Sequence, residues 1–394
     1  MNKKRLLWIV LDSVGAGEIS DAAEYGDAGA STLEHISETV GLHMPVMRTL
    51  GLGNIGTTGL SPIPHPSGAY GRAAERSKGK DTTTGHWEMA GVTLDKPFPT
   101  YPNGFPKEVI DRFEQAIGTK TLGNKPASGT VILDELGEEH LRTGYPIVYT
   151  SGDSVFQIAA NEEIIPLEHL YELCEIARAQ LQGEHGVGRV IARPFKGQKA
   201  GHFIRTPHRR DFSMEPVGTT VLDVLKAAGK DVLGVGKIED IFAHRGLTES
   251  IHAAGNPDCI EATLEFMKRD FDGLCYVNLV DFDSTYGHRR DTEGYAAALE
   301  YFDEKLPQMM RLMNDEDLLI ITADHGCDPT FKGTDHTREC VPIICWSRSL
   351  NTGVNLGDRD TYADMAATIA EFFGLEERFN ATSFLSELYG GEKQ

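Results

Sequence analysis

Residues 6–12 read Leu-Leu-Trp-Ile-Val-Leu-Asp, an apolar run that ends on an aspartate. A short run of this kind predicts a strand that is buried on both faces of a parallel sheet. The pattern recurs at 274–283, where Leu-Cys-Tyr-Val-Asn-Leu-Val precedes Asp-Phe-Asp, and at 318–324, which reads Leu-Leu-Ile-Ile-Thr-Ala-Asp. These three runs with carboxylates at their ends decide the expected fold and the expected position of its site.

The remaining apolar and periodic segments complete the pattern of an α/β protein. Val232–Val235 and Val341–Trp346 are further candidate parallel strands. Strands that alternate with helices predict a mostly parallel sheet with helices on both faces. For the last helix we expect Asp360 or Thr361 as the N-cap and Gly374 just after the end. Helical periodicity occurs in four segments: Thr219–Ala228, Cys259–Lys268, Gly294–Met313 and Tyr362–Phe373.

The middle of the chain interrupts this alternation. Proline and glycine cluster at 96–106, and a second irregular stretch spans 205–216. We therefore expect residues 1–100 and 216–394 to form the core and residues 101–215 to form an inserted α+β cap domain. The predicted elements of the cap are two helices and a strand: Lys107–Ile117, Leu167–Leu181 and Tyr145–Thr150.

Composition excludes several classes of protein. The net charge of −21 disfavours nucleic acid and anionic membranes as partners, because both select basic surfaces. No segment approaches the roughly 20 apolar residues that span a bilayer. The six cysteines form no C-x-x-C pair and need no disulfide framework in a chain of 394 residues. We expect a cytoplasmic protein.

The aspartates at the strand ends predict a metal centre. Carboxyl ends of parallel strands meet at one edge of the sheet. Carboxylates crowded there repel each other unless a cation lies between them. Singly, each candidate residue is better explained as a turn former or a polar surface residue. Together they favour two cations of the manganese or zinc type. Cys327 is an alternative ligand, although we prefer a packed small residue. The candidate ligands are three aspartates and three histidines: Asp12, Asp283, His288, Asp324, His325 and His336.

A candidate nucleophile lies in Lys-Asp-Thr-Thr-Thr-Gly-His-Trp-Glu, residues 80–88. Thr84 precedes Gly85, which permits a sharp turn, and the following residues are suited to opening a helix. Metal coordination activates such a hydroxyl, and a helix N-terminus favours an incoming phosphate. The alternative is that the threonines only cap a helix or end a strand.

Five motifs spread over residues 12–339 resemble the alkaline phosphatase superfamily. They are Asp-Ser-Val-Gly-Ala-Gly from Asp12, Asp-Thr-Thr-Thr-Gly-His-Trp-Glu around Thr84, Asp-Phe-Asp-Ser-Thr-Tyr-Gly-His, Thr-Ala-Asp-His-Gly-Cys-Asp-Pro and Gly-Thr-Asp-His-Thr-Arg-Glu. The resemblance is closest to its bacterial mutases that move phosphate between the C1 and C5 hydroxyls of ribose or deoxyribose. It implies two Mn²⁺ ions, a phosphothreonine at Thr84, a 1,5-bisphosphate intermediate and a bisphosphorylated sugar as activator.

The same resemblance divides the ligands into two groups. Asp283, His288 and His336 are expected on one manganese ion. Asp12, Asp324 and His325 are expected on the other, with Thr84 or its phosphate nearby.

The resemblance also implies that the cap orients the sugar and excludes water, so that the phosphoenzyme is not hydrolysed. Residues 189–210 contain seven Lys or Arg and no acidic residue. Arg189, Arg193 and Arg205 are therefore candidates for the phosphate that does not react, because arginine binds phosphate in a bidentate manner. A solvated basic loop is the alternative.

Three further residues are candidate substrate ligands. Ser151 and Asp153 are expected by resemblance to bind sugar hydroxyls, or else to form a polar turn after a strand. Lys237 ends the run Val-Leu-Gly-Val-Gly-Lys and is expected at the core crevice, where it reaches a phosphate, unless it is a surface lysine.

Three other functions compete with a mutase acting on small pentose phosphates. A phosphatase of the same superfamily differs only in admitting water. A cofactor-independent phosphoglycerate mutase would be longer and carry serine in place of Thr84. A non-catalytic metal or phosphosugar binding protein would not need the threonine.

Overall fold

The computed structural model describes residues 3–390, which form two compact units. The first unit contains the chain up to Pro97 and again from Pro216 onward. The second unit is Phe98–Glu215. Each unit has its own sheet. The chain leaves the first unit after Pro97 and returns to it at Pro216.

Fourteen strands occur in the described part of the chain. In chain order they are β1 (Arg5–Leu11), β2 (Ala69–Ala73), β3 (Leu122–Pro126), β4 (Ile147–Thr150), β5 (Val155–Asn161), β6 (Arg189–Lys196), β7 (Ile204–Arg205), β8 (Arg210–Ser213), β9 (Asp231–Val235), β10 (Glu249–Ile251), β11 (Gly273–Leu279), β12 (Leu318–Thr322), β13 (Val341–Trp346) and β14 (Asn355–Arg359).

The same residues contain twelve α-helices, none of them long and apolar enough to cross a membrane. They are α1 (Thr32–Val40), α2 (Pro45–Leu50), α3 (Thr82–Met89), α4 (Lys107–Ile117), α5 (Gly129–Thr143), α6 (Leu167–Gln180), α7 (Val221–Ala227), α8 (Ile238–Ile241), α9 (Asn256–Met267), α10 (Thr292–Arg311), α11 (Asp364–Phe372) and α12 (Leu385–Tyr389).

The sheet of the first unit has the order β10-β9-β11-β1-β12-β13-β2-β14. The five strands from β10 to β12 are mutually parallel, which confirms the predicted sheet. Strand β1 lies between β11 and β12, with Leu11 opposite Leu279 and Val10 opposite Thr322. Every residue of these three strands is buried. Their carboxyl ends therefore lie side by side at one edge of the sheet.

The expectation that Val341–Trp346 is a parallel strand was wrong. This strand, β13, runs antiparallel to both β12 and β2. A parallel neighbour needs a crossover connection, usually a helix. The segment between β12 and β13 contains no helix, so the chain turns at the carboxyl end of β12 and runs back beside it.

The last predicted helix has the expected end and a different start. Gly374 follows α11 in the left-handed conformation (φ 73°), as predicted. The N-cap is Ala363, which makes no side-chain capping bond. Thr361 precedes this residue by two positions; its hydroxyl accepts from the Ala363 N–H (3.2 Å) and donates to Glu88 Oε1 (2.8 Å) on α3.

The second unit is a mixed sheet with helices on its faces. Its strand order is β3-β4-β5-β6-β7, with β8 also pairing with β6. Helices α4 and α6 and strand β4 confirm the three elements predicted there. The stretch 205–216, expected to be irregular, contains β8, which runs antiparallel to β6 from Arg210 to Ser213. The strand contains a single apolar residue, Phe212, so no apolar run indicated it.

Helix α3 packs directly on the backbone that follows β12. The expected sharp turn at Gly85 was wrong, because the helix already begins at Thr82. Gly85 lies inside it, and a Cβ built on Gly85 would be 2.0 Å from the carbonyl oxygen of Asp324. The glycine therefore permits close approach of two backbones.

We predict that Gly85→Ala destabilises the protein by roughly 1–3 kcal/mol, because a backbone carbonyl cannot yield as a side chain would. The measurement is the free energy of unfolding in urea. Gly152→Ala is the matched control, since nothing lies within 4 Å of a Cβ there. Equal stability of the two variants would contradict the close contact.

Candidate metal centre and nucleophile

Three buried aspartates lie at the carboxyl ends of the three central strands. Asp12 directly follows β1, and Asp324 follows β12 by two residues. Asp283 lies in a π-helical turn, Phe282–Gly287, just after β11. Asp12 and Asp324 have no exposed surface, and Asp283 is 5% exposed. The parallel register thus brings together carboxylates that are far apart in sequence.

Asp12, Asp324 and His325 form the first group. His325 Nε2 lies 3.5 Å from Asp12 Oδ1 and 3.4 Å from Asp324 Oδ2. The potential ligand atoms of all three residues lie within 4.8 Å of one another, which suits a single cation. This is one of the two groups expected from the sequence.

Asp283, His288 and His336 form the second group. Asp283 Oδ1 is 3.4 Å from His288 Nε2 and 3.2 Å from His336 Nε2, and these two nitrogens are 3.0 Å apart. The His336 ring also lies against the His325 ring, tilted by 33° with centroids 4.0 Å apart, so the two groups are contiguous. Cys327 lies close enough to Asp283 and His288 to be an alternative ligand, but burial raises the pKa of its thiol and favours the protonated form.

The protein leaves one oxygen of each aspartate without a hydrogen bond. Among the described residues, Asp12 Oδ1, Asp283 Oδ1 and Asp324 Oδ2 are buried acceptors with no donor. Asp324 Oδ2 lies 3.1 Å from His86 Nδ1, but that nitrogen is engaged with the carbonyl of Thr82 (2.9 Å). Buried acceptors without donors are costly unless a cation satisfies them. The donor set therefore fits divalent cations.

Burial and neighbouring charges shift the pKa values of residues in both metal groups. Burial, together with the nearby Asp324 carboxylate, raises the pKa of Asp12 to about 7. Burial lowers the pKa of His336, but Asp283 outweighs it and raises that pKa to about 9. Burial would raise the pKa of Asp283, but the adjacent His336 and His288 lower it well below its usual value. The site without metal is therefore partly protonated near neutral pH.

The candidate nucleophile lies at the start of α3. Asp81 is the N-cap, and its Oδ1 accepts from the backbone N–H groups of Thr83 and Thr84, both at 3.1 Å. The buried Thr84 hydroxyl donates to Asp81 Oδ2 at 2.6 Å. Thr82 Oγ1 lies 3.2 Å from His325 Nε2. The first turn of α3 thus adjoins the first metal group.

Sequence reasoning missed two residues that support the ligands. His86, on α3, contacts Asp324, and Asn278, on β11, donates from Nδ2 to Asp12 Oδ2 (3.1 Å). Both are fully buried. The available signal for Asn278 was an amide inside an otherwise apolar run, which needs a buried partner.

Lys237 lies where it was expected, at the carboxyl edge of the core sheet. Its Nζ is 3.7 Å from Asp12 Oδ2, and its side chain is 37% exposed. A lysine so placed is able to reach both the first metal group and solvent.

In the second unit, arginines gather on one face of the sheet. Arg193 Nε donates to Gln157 Oε1 (3.0 Å). The charges of Arg193, Arg205 and Arg209 all act on the hydroxyl of Tyr149, opposing the rise in its pKa caused by burial. Three cations near one hydroxyl form a basic face, defined here as Arg193, Arg205, Arg209 and Tyr149.

The other candidates of this unit are less distinctive. Arg189 lies four residues before Arg193 on β6 and faces Asp211 Oδ2 at 3.4 Å. Asp211 also binds Arg209, which had not been singled out, through two bonds of 2.7 and 2.8 Å. Ser151 and Asp153 lie between β4 and β5, where the Asp153 N–H donates to Ser151 Oγ (3.4 Å). These contacts are those of a polar turn.

Comparison with known proteins is consistent with this centre. The profile of the metalloenzyme superfamily matches residues 4–377. The phosphopentomutase of Caldanaerobacter subterraneus subsp. tengcongensis is 61% identical over 386 residues, which is 98% of both chains. That of Acetivibrio thermocellus is 56% identical over 98% of this chain and 100% of its own. A structure of Leishmania mexicana phosphoglycerate mutase aligns over 97% of this chain and 98% of its own, with 11% identity and a TM-score of 0.49.

We predict that the metal-free protein binds Mn²⁺ more tightly as the pH rises from below 7 to above 9. Asp12, with a pKa of about 7, and His336, with a pKa of about 9, must lose protons before they bind a cation. Calorimetric titration in buffers of different ionisation heat measures the protons released. His336→Gln should abolish the release at the alkaline end. Release that does not change with pH would contradict the assignment.

Proposed function

Because the chain belongs to the phosphopentomutase family of the metalloenzyme superfamily, we propose that it interconverts the 1-phosphate and 5-phosphate of ribose or deoxyribose. The chain is an enzyme of the isomerase class, and its substrates are small pentose phosphates. One observation carries the proposal. The Thr84 hydroxyl lies in the first turn of α3, and that turn adjoins carboxylates whose buried oxygens accept no hydrogen bond.

Two Mn²⁺ ions are the proposed cofactors. Carboxylate and imidazole donors without a thiolate suit this ion. When bound, the ions neutralise charge on the transferring oxygens and lower the pKa of the attacking hydroxyl. The residues that would hold them are the two groups described above: Asp12, Asp324 and His325 for one, and Asp283, His288 and His336 for the other.

Thr84 is the proposed carrier of the phosphate. Phosphothreonine passes its phosphoryl group to the free hydroxyl of a pentose monophosphate: the bond from phosphorus to Oγ1 breaks and a bond to the sugar oxygen forms. The 1,5-bisphosphate then returns its other phosphoryl group to Oγ1. An unphosphorylated threonine has nothing to donate, so a bisphosphorylated sugar is required as activator. The positive end of the α3 dipole favours the phosphate at this position.

We assign the phosphate that does not react to the basic face of the second unit. Arg193, Arg205 and Arg209 supply charge there, and guanidinium groups bind phosphate in a bidentate manner. Arg189 and Arg209 are the weaker ligands because Asp211 pairs with both of them, with Arg209 through two bonds. Lys237 is proposed as a phosphate ligand, which its position beside Asp12 supports.

The second unit is proposed to act as a cap that excludes water during transfer. Water attacking the phosphothreonine would release free phosphate, and the enzyme would become a phosphatase. Ser151 and Asp153 are proposed to bind the sugar hydroxyls and so to select a pentose.

We predict that ribose 1-phosphate, with Mn²⁺ and a trace of ribose 1,5-bisphosphate, yields ribose 5-phosphate and little free phosphate. Thr84→Ala should lower this turnover at least ~1,000-fold, because the nucleophile is removed from an intact site. Its Mn²⁺ stoichiometry, measured in parallel, should not change.

Two outcomes would contradict the proposal. Free phosphate as the main product would identify a phosphatase. Turnover of Thr84→Ala near the unmodified rate would eliminate the phosphothreonine.

We also predict that Arg193→Ala weakens turnover of ribose 1-phosphate more than hydrolysis of a small aryl phosphate, which has no second phosphate to bind. A lost charged hydrogen bond costs about 1.5–3 kcal/mol, or roughly 10- to 150-fold in kcat/KM. Arg142→Ala is the matched control, since Arg142 is 73% exposed on α5. Equal losses of kcat/KM on both substrates would show that Arg193 acts through folding or through the overall charge and does not bind the second phosphate.

A further inference from the structure

The two carboxylate oxygens of Asp81 accept hydrogen bonds from different groups. Oδ1 accepts the two backbone N–H groups that cap α3, and Oδ2 accepts the Thr84 hydroxyl at 2.6 Å. Capping needs only one acceptor oxygen. The second oxygen is therefore not needed for the helix, and it contacts the atom that would carry the phosphate.

The surroundings of Asp81 leave it as the acceptor for the Thr84 hydrogen. The nearby imidazole nitrogen, His325 Nε2, lies against the hydroxyl of Thr82 (3.2 Å). The adjacent Lys80 turns its Nζ to Asp27 (2.9 Å) and Asp335 (3.2 Å). Within residues 3–390, the hydrogen bond of Thr84 Oγ1 is to Asp81.

Phosphorylation changes this contact, because phosphorylated Oγ1 carries no hydrogen. An ionised Asp81 Oδ2 would then lie 2.6 Å from the ester oxygen of a phosphate, with no hydrogen between the two acceptors. The two negatively charged groups repel each other, and one of them must take a proton or move away. Oδ2 is positioned to receive the hydrogen that Oγ1 gives up.

We propose that Asp81 is a catalytic residue that takes the hydrogen of the Thr84 hydroxyl whenever Thr84 is phosphorylated and returns it when the phosphoryl group leaves. The inference rests on the proposed phosphothreonine mechanism. It adds a proton acceptor that is separate from the metal ligands.

The transfer balances in each direction. During loading, the bond from Oγ1 to phosphorus forms and the bond from phosphorus to the donor sugar oxygen breaks. The Oγ1 proton passes to Asp81 Oδ2, and the sugar oxygen keeps the electron pair and is protonated from solvent after the transfer is complete. During unloading, the acceptor hydroxyl loses its proton to solvent before water is excluded, and Asp81 returns its proton to Oγ1 as the phosphoryl group leaves.

The test is the rate at which ribose 1,5-bisphosphate phosphorylates Thr84 in the manganese-loaded, full-length enzyme. Rapid quench and mass spectrometry measure the phosphate on Thr84. In Asp81→Asn, Oδ1 still caps α3, because asparagine is as good an N-cap as aspartate, but Nδ2 cannot accept a proton. Loading should slow about 100-fold or more, as expected when a proton acceptor is lost. The melting temperature and the manganese content should not change.

Asp291→Asn is the matched control. Asp291 is the exposed N-cap of α10 and accepts from the N–H of Gly294 (2.9 Å), so the same change of carboxylate to amide is made at another helix start. We expect loading at the unmodified rate. If Asp81→Asn does not fold, Asp81→Ser keeps a capping oxygen without a carboxylate and is expected to load equally slowly.

Different outcomes of this experiment test the role of Asp81 and the phosphothreonine mechanism separately. Unchanged loading in Asp81→Asn, with phosphate found on Thr84, would overturn the role of Asp81 and leave the phosphothreonine in place. Absence of phosphate on Thr84 in the unmodified enzyme would overturn the phosphothreonine itself. Slow loading confined to the Asp81 variants supports the transfer.

Discussion

The alignment of three buried strand ends is the constraint on which the rest of this protein depends. β1 pairs with β11 and β12 in parallel, so the residues after these strands meet at one edge whether or not their charges are compatible. The chain places carboxylates there, and it holds Asp12 and Asp324 each through one oxygen. Ser13 N–H binds Asp324 Oδ1 (3.0 Å), and Asn278 binds Asp12 Oδ2. Pairing of the strands thus fixes the positions of the carboxylate oxygens, and the oxygens that accept no hydrogen bond favour the binding of cations.

Holding the acceptors requires an unusual backbone. Ser13 has a positive φ of 72°, which costs a residue with a Cβ roughly 1–3 kcal/mol at worst. Its hydroxyl is within 2.9 Å of Tyr295 OH, on α10, and its carbonyl accepts from the Cys327 N–H (3.1 Å). Contacts from α10 and from the segment after β12 therefore keep this residue in place. The strained turn after β1 is therefore stabilised by contacts from elsewhere in the fold, and it in turn holds the carboxylate of Asp324.

The sequence predicted the parts of the fold in which burial is uniform. β1, β11 and β12 are buried along their whole length, so their apolar runs were visible. β2 alternates between buried and partly exposed residues, β14 has a single buried residue, and both strands contain glycine, so neither shows an apolar run. The antiparallel direction of β13 was not predicted because it depends on the loop that precedes this strand. His86 was missed because its role comes from a contact with Asp324, which no local pattern records. The three aspartates among the proposed metal ligands could be singled out because strand ends converge by topology.

The way the chain leaves and re-enters the first unit has an evolutionary consequence. All eight strands of the core sheet come from outside Phe98–Glu215. The two flanks of that segment are already joined, since Val221 N–H donates to the carbonyl of Ala90 (2.8 Å) and Gly218 lies against Val92. Replacing the inserted segment breaks no pairing in the core sheet. The proposed metal ligands and the proposed substrate ligands of the inserted segment therefore lie in separate modules, so exchange of this one segment would change specificity without disturbing the core sheet.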